Sequence, residues 1–148
     1  MQITIFGAAG RVGSRVVAEA LSRGHDVTSV LRDPDRHELP AATMIRAGDA
    51  GSVDDVVRLG AGQDIVIAAT RPPAGNEGEL VTSTEALLAG LARTGTRLLI
   101  SGGAGGLTVP GGDKTVIEDP SFLSPAYRDL AQACIDQLKA CRAEDGVD

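Results

Sequence analysis

Three glycines spaced three apart, Gly7, Gly10 and Gly13, stand where the apolar run "ITIF" (3–6) gives way to a segment periodic in Val and Ala. A turn that carries a strand straight into a helix must bend sharply, approach a ligand closely and pack the helix on the strand. Each task favours a residue without a Cβ. The unpaired N–H groups of a first helical turn, at the positive end of the helix dipole, suit a pyrophosphate. The spacing is G-x-x-G-x-x-G, not the G-x-G-x-x-G of the common dehydrogenases. Its weight comes from its place after a first strand and within a strand–helix–strand unit.

The end of the second strand bears on which dinucleotide would fit. In NAD-binding proteins an acidic residue about 20 positions past the glycines takes the ribose 2′-OH. Here that place holds Arg32, nineteen residues after Gly13. A guanidinium suits a 2′-phosphate, and Arg11 inside the glycine turn adds a second positive charge. NADP(H) is therefore favoured over NAD(H). Asp33, next door, is a carboxylate that would serve a 2′-OH, but before Pro34 it also reads as a helix N-cap.

Placing these residues requires a scaffold, and the patterning supplies one. Short apolar runs alternate with amphipathic segments: "ITIF" (3–6), "DVTSVL" (26–31), "TMIRAG" (43–48), "DIVIAAT" (64–70) and "RLLISGG" (97–103) read as strands. Between the first two, Val12, Val16, Val17, Ala20 and Leu21 share a helical face that Gly24 closes. "DPDRHEL" begins a second helical segment, and Ser52 with Asp55 three on has capping-box spacing, with Asp in place of Glu. Leu80, Val81, Thr84, Leu87, Leu88 and Leu91 make another stripe. After an irregular stretch from 104 to 123, Ser124 and Pro125 open a last helix whose stripe is Leu130, Ala133, Cys134, Leu138 and Cys141. Strands alternating with helices predict an α/β, Rossmann-like, three-layer doubly wound parallel sheet of strand order 3-2-1-4-5, in one domain spanning 1–148. Gly146 reads as a stop before a sixth strand, so C-terminal strands are expected to be lacking.

Composition narrows the partners. The chain has 148 residues, 43% hydrophobic, with nineteen glycines and three aromatics, which implies a core of Val, Leu, Ile and Ala. A net charge of -6 makes nucleic acid a poor partner, because binding phosphates needs a clustered basic surface. No apolar run approaches the roughly 20 residues of a membrane span. Two cysteines build neither a disulfide framework nor a metal signature, so no metal is expected and a reduced, cytoplasmic setting is the default. The expected partner is a small-molecule substrate; a homodimer is compatible with the sequence.

"ITIFGAAGRVGSRVV", "VLRDP", "AGDA" (47–50), "IAAT" and "LLISGGAG" together resemble the atypical short-chain dehydrogenase/reductase proteins with an NAD(P)H-binding domain. The nearest types are the flavin reductase and biliverdin-IXβ reductase-like proteins and the NmrA-like proteins. The resemblance covers nearly all of residues 1–148. It implies that Gly7, Ala9, Gly10, Arg11, Val12 and Gly13 wrap the pyrophosphate and that Arg32 meets the 2′-phosphate. Asp49 and Ala50 would edge the adenine. Ala69, Thr70 and Arg71 would lie along the ribose and phosphates, with Ser101, Gly102 and Gly103 bordering the nicotinamide. Family members run on for several more strands and helices.

The departure from true short-chain dehydrogenases is informative. Those protonate a carbonyl oxygen with a Tyr and a Lys four residues later; the only tyrosine here, Tyr127, is followed at that distance by Ala131. A flavin acceptor (FMN or FAD as substrate) escapes this requirement, since hydride transfer to it needs stacking, orientation and exclusion of water. The acceptor ring delocalises charge and solvent supplies the proton. The expected activity is thus an NADPH-dependent reductase of a flavin, quinone or similar conjugated acceptor. An NADP(H)-binding regulator of the NmrA-like kind and an epimerase-like enzyme are the rival readings. Ser101, as hydrogen-bond donor, and Tyr127, bordering the substrate, are the catalytic candidates. Either has an ordinary structural role open to it as well. His25 and His37 read as exposed spacers and the cysteines as packing residues. "GGAGGLTVPGG" reads either as a flap over the nicotinamide or as an ordered surface loop, and "RPPAGNEG" (71–78) as a frame for the substrate.

Overall fold

Residues Gln2–Phe6 form strand β1 because β-branched and aromatic side chains alternate there between two apolar surroundings. Ile3 and Ile5 pack to one side, and Thr4 and Phe6 to the other; all four are buried. Burial on both faces is what a central strand of a parallel sheet requires. The computed structural model describes residues 1–148 and adds β2 (Asp26–Leu31), β3 (Met44–Ala47), β4 (Ile65–Ala68) and β5 (Arg97–Ile100). All neighbours pair in parallel, in the order β3-β2-β1-β4-β5. This is the order expected from the pattern of elements.

Helix α1 (Gly13–Ser22) sets Val17 and Ala20 against Ile3, Ile5, Val27 and Leu31 on one face. Helices α2 (Val53–Gly60) and α3 (Glu79–Thr94) set Val56, Leu59, Leu87 and Leu91 against Phe6, Val30, Val66 and Ala68 on the other. Helix α4 (Arg128–Ala143) lies beside α3 and buries Ala131, Ala133 and Gln137. Polar groups inside these layers are paired. The Thr4 hydroxyl donates to the Leu59 carbonyl at 3.0 Å. The Ser29 and Thr43 hydroxyls meet at 2.8 Å, and Thr43 donates to the Val27 carbonyl at 3.0 Å. No helix is long and apolar enough to cross a membrane.

Several local expectations are corrected. The strands stop before their apolar runs do, at Ala68 and Ile100, because the following residues turn off the sheet. "DPDRHEL" forms only a single 3-10 turn, Pro34–Arg36, and the Asp33 side chain makes no capping bond; its carboxylate lies 3.8 Å from Arg36. Val12 precedes α1 and is 48% exposed instead of joining the buried face. Leu138 is 45% exposed, and the buried position on that part of α4 belongs to Gln137. Gly24, with φ 74°, closes α1 as expected. Beyond α4 the chain turns back to the sheet edge: Val147 packs with Leu98 and Ile100 against the core, and the Leu98 amide donates to the Asp148 carbonyl at 2.8 Å.

Candidate functional site at the carboxyl edge of the sheet

Strand register lines up the candidate residues. Phe6 lies opposite both Val30 and Ala68, Ala68 lies opposite Ile100, and Val30 lies opposite Arg46. Five strands therefore end at nearly one level. Gly7, Arg32, Gly48, Ala69 and Ser101 follow within two residues of that row, on a single edge. The ladder continues a step further, with Ala69 N–H to Phe6 carbonyl at 3.0 Å and Ser101 N–H to Ala68 carbonyl at 2.9 Å. The crevice lies where β1 and β4 diverge to opposite connections, the switch point at which open α/β sheets bind ligands.

The glycine turn fits there because it lacks side chains. Gly7 has φ 76°, in the left-handed region, and a Cβ on it would stand 2.6 Å from the Ala69 carbonyl oxygen. A Cβ on Gly13 would overlap the Gly7 carbonyl oxygen. The turn is closed by Gly10 N–H to Gly7 carbonyl at 3.0 Å and Ser14 N–H to Gly10 carbonyl at 2.9 Å. The amides of Ala8, Ala9, Arg11, Val12 and Gly13 meet no protein acceptor. No side chain caps α1, and no acidic residue occupies its first turn. Such an end, with open donors and no competing carboxylate, has the chemistry to hold a dinucleotide pyrophosphate. Exposed Arg11 adds positive charge.

Arg32 leaves the end of β2 and reaches across the crevice mouth to Glu79, the first residue of α3, at 3.8 Å. It also lines a shallow groove of about 390 Å³ with Ala47, Gly48, Asp49, Asp55 and Arg58. Asp55 shapes this groove in a way its capping-box spacing did not announce. Its amide makes the expected cap, donating to the Ser52 hydroxyl at 3.3 Å. Its carboxylate turns instead to the Asp49 amide at 3.0 Å and to Arg58 at 2.5 Å. The Arg58 hydrogen bond, aided by the Asp49 amide, holds the Asp55 carboxyl below the usual carboxylate range. Arg58 also donates to the Ala47 carbonyl at 3.2 Å, which ties α2 to the end of β3. Ala50 is buried in the core beneath.

On the other side of the crevice, Thr70 is half-buried and Arg71, Ser101, Gly102 and Gly103 are exposed. A Cβ on Gly103 would stand 2.7 Å from the Cys134 sulfur, so α4 supports this turn from below. Burial pushes the Cys134 thiol up, with Arg71 acting in the opposite sense; burial raises Cys141 as well. Neutral thiols at neutral pH suit the packing role expected for both. Tyr127, 55% exposed, stands just before α4, and its hydroxyl bonds to no protein group, Ser101 included.

The stretch after the turn is a bonded hairpin. Val109 N–H meets the Lys114 carbonyl at 2.8 Å, Val116 N–H the Leu107 carbonyl at 2.9 Å, and Ile117 N–H the Gly105 carbonyl at 3.0 Å. Thr115 and Glu118 form a reciprocal capping box, and Arg128 donates to the Ile117 carbonyl at 2.9 Å. His25 is half-buried and His37 exposed, and no three metal-binding side chains cluster.

Comparison with known proteins agrees with this arrangement. Residues 7–141 match a family model described as NAD(P)H-binding. YwnB of Bacillus subtilis, itself uncharacterized, is 31% identical over 153 residues, covering 99% of this chain and 68% of its own length. A crystal structure of a candidate exported protein from Burkholderia pseudomallei superposes with TM-score 0.84 at 32% identity, over 100% of this chain and 69% of that one. A candidate NADH-flavin reductase from Streptococcus pneumoniae superposes with TM-score 0.83 at 28% identity, again over 100% of this chain and 69% of the other.

Proposed function

The chain belongs to the NAD(P)H-binding family, and we propose that it is a reductase passing hydride from NADPH to a flavin, quinone or similar conjugated ring. The observation that carries this reading is the set of unpaired amides of Ala8, Ala9, Arg11, Val12 and Gly13 at the switch point, in a turn where a Cβ on Gly7 or Gly13 would meet backbone. The nicotinamide supplies the hydride when the cofactor is bound. The chain's own part is to bind and orient. The α1 amides take the pyrophosphate, and the Asp49–Ala50 segment borders the adenine. Ala69, Thr70 and Arg71 flank the ribose and phosphates, and Ser101 to Gly103 frame the reacting ring.

Arg32 supports a preference for NADPH over NADH, since its guanidinium stands at the end of β2 in the groove beside Asp49. The lack of a lysine four residues after Tyr127 supports an acceptor whose ring delocalises charge, because such a substrate needs no dedicated acid. The Streptococcus pneumoniae relative, named for flavin reduction, points the same way. On this reading the partners are small molecules, and two free thiols suit a reduced cytoplasm.

The test mixes the purified protein with NADPH and FMN and follows absorbance at 340 nm. Turnover that saturates in both substrates is the expected result. Tight NADPH binding without turnover, over a panel of flavins and quinones, would replace the reductase by an NADP(H)-binding regulator. A bound cofactor that stays redox-neutral through a catalytic cycle would favour an epimerase-like enzyme.

A further inference from the structure

Gln137 lies between α3 and α4 and is only 4% exposed. Its Nε2 donates to the Thr84 hydroxyl at 3.0 Å, and that hydroxyl donates to the Leu80 carbonyl at 2.8 Å. The chain of bonds has one direction. Thr84 spends its only proton on Leu80, so it must accept from Gln137, and the Gln137 amide cannot flip without losing a buried bond. Its carboxamide oxygen is thereby aimed away from α3. It lies 3.9 Å from where a Cβ on Gly102 would stand, directly under the turn that follows β5. No protein group donates to that oxygen, and no buried side-chain polar atom is left unpaired, so the oxygen keeps an aspect open to solvent. The Gly102 amide, for its part, meets no acceptor.

An acceptor without a donor and an amide without an acceptor thus belong to two residues that lie side by side, with the Gln137 oxygen next to the Gly102 backbone. An amide oxygen in so buried a residue gains from a donor, and a two-glycine turn gives way easily. We propose that Gln137 is a positioning residue: when the turn settles against a bound dinucleotide, the Gly102 N–H donates to its carboxamide oxygen and locks the nicotinamide side of the site to α3. This rests on the reading that the crevice binds NADPH. Gln137 touches neither cofactor nor substrate; it acts through Gly102.

The test is amide hydrogen exchange over residues 97–106 of the full chain, with and without NADPH, alongside the affinities for NADPH and for 2′,5′-ADP, which lacks the nicotinamide. NADPH is expected to slow exchange at the turn at least tenfold in the parent protein. Gln137→Met should abolish that protection and leave 2′,5′-ADP affinity within twofold. Should Gln137→Met not fold, Thr84→Val asks the same question by freeing the amide to flip, and Thr84→Ser should restore protection. Exchange at the turn that is unchanged by NADPH, or equally protected in the variants, would overturn the proposal while the cofactor reading stands. Binding of neither NADPH nor 2′,5′-ADP would overturn both.

Discussion

The carbonyl carbon of Gly7 lies only 2.8 Å from where a Cβ on Gly13 would stand, so the first residue of α1 rests directly on the backbone that ends β1. The contact is backbone against backbone, and neither side can swing away. It sets how closely the helix N-terminus approaches the crevice, and with it the direction of the open amides.

Gly13→Ala should therefore push α1 off the strand. The expected loss is about 3 kcal/mol of stability, at the upper end for overpacking, with NADPH affinity falling more than tenfold. Gly10→Ala, whose Cβ would stand 3.2 Å from the Gly7 oxygen, should be milder. Urea unfolding and NADPH fluorescence titration measure both. A Gly13→Ala protein with parental affinity would mean that the helix end does not hold the cofactor.

Arg32→Ala should weaken NADPH by about 2 kcal/mol, the scale of a hydrogen bond to a charged group, and leave NADH almost unchanged. The ion pair with Glu79 is exposed and long, at 3.8 Å, so its loss contributes little to stability. Equal losses for the two cofactors in parallel titrations would remove the basis for preferring NADPH.

The Asp55 carboxyl is held low by Arg58 and by the Asp49 amide, so its pH effect has a definite sign. A folded-state value below the unfolded value of roughly 3.9 favours the native loop at pH values above the unfolded one. The contribution is lost as pH falls through the depressed folded value. Acidification below about pH 4 should release the Asp49 amide, and Asp55→Asn should remove this step from the profile. The Asp49 amide resonance followed by NMR against pH reads it directly; a parental titration in Asp55→Asn would contradict the assignment.

The α2–α3 contact makes a prediction remote from the crevice. A Cβ on Gly90 would stand 2.6 Å from a Val56 methyl group. Gly90→Ala should cost about 1 kcal/mol net, since overpacking outweighs the helix-propensity gain. In Gly90→Ala/Val56→Ala the two changes should compensate partly, with a coupling near 1 kcal/mol, the scale for residues in contact. NADPH affinity should not move. Strictly additive losses in chemical denaturation would show that the two positions do not meet.

Much of the architecture was legible because it depends on local periodicity. The apolar run "ITIF", the Val and Leu stripes and the stop at Gly24 each follow from the pitch of strand or helix, and the strand order follows from the handedness of crossovers. Errors came where a neighbour distant in the chain decided the outcome. Asp55 has the spacing of a cap, yet its carboxylate goes to Asp49, because the end of β3 lies beside α2. Gln137, three residues past Cys134 on the apolar stripe of α4, could have been flagged as a polar interruption. Its partner Thr84 stands 53 positions earlier, and no pattern within α4 names it.

By itself, then, the sequence determined the five strands and the four main helices, in what order the strands pair, and that a Cβ-free turn opens the first helix, since all of these follow from short-range backbone geometry. Only the tertiary structure decided that five strands end at one level, that Arg32 spans to Glu79, that Asp55 grips Asp49 and that Gln137 faces Gly102. Those relations depend on the distances between packed layers, which side-chain volumes across the whole core set together.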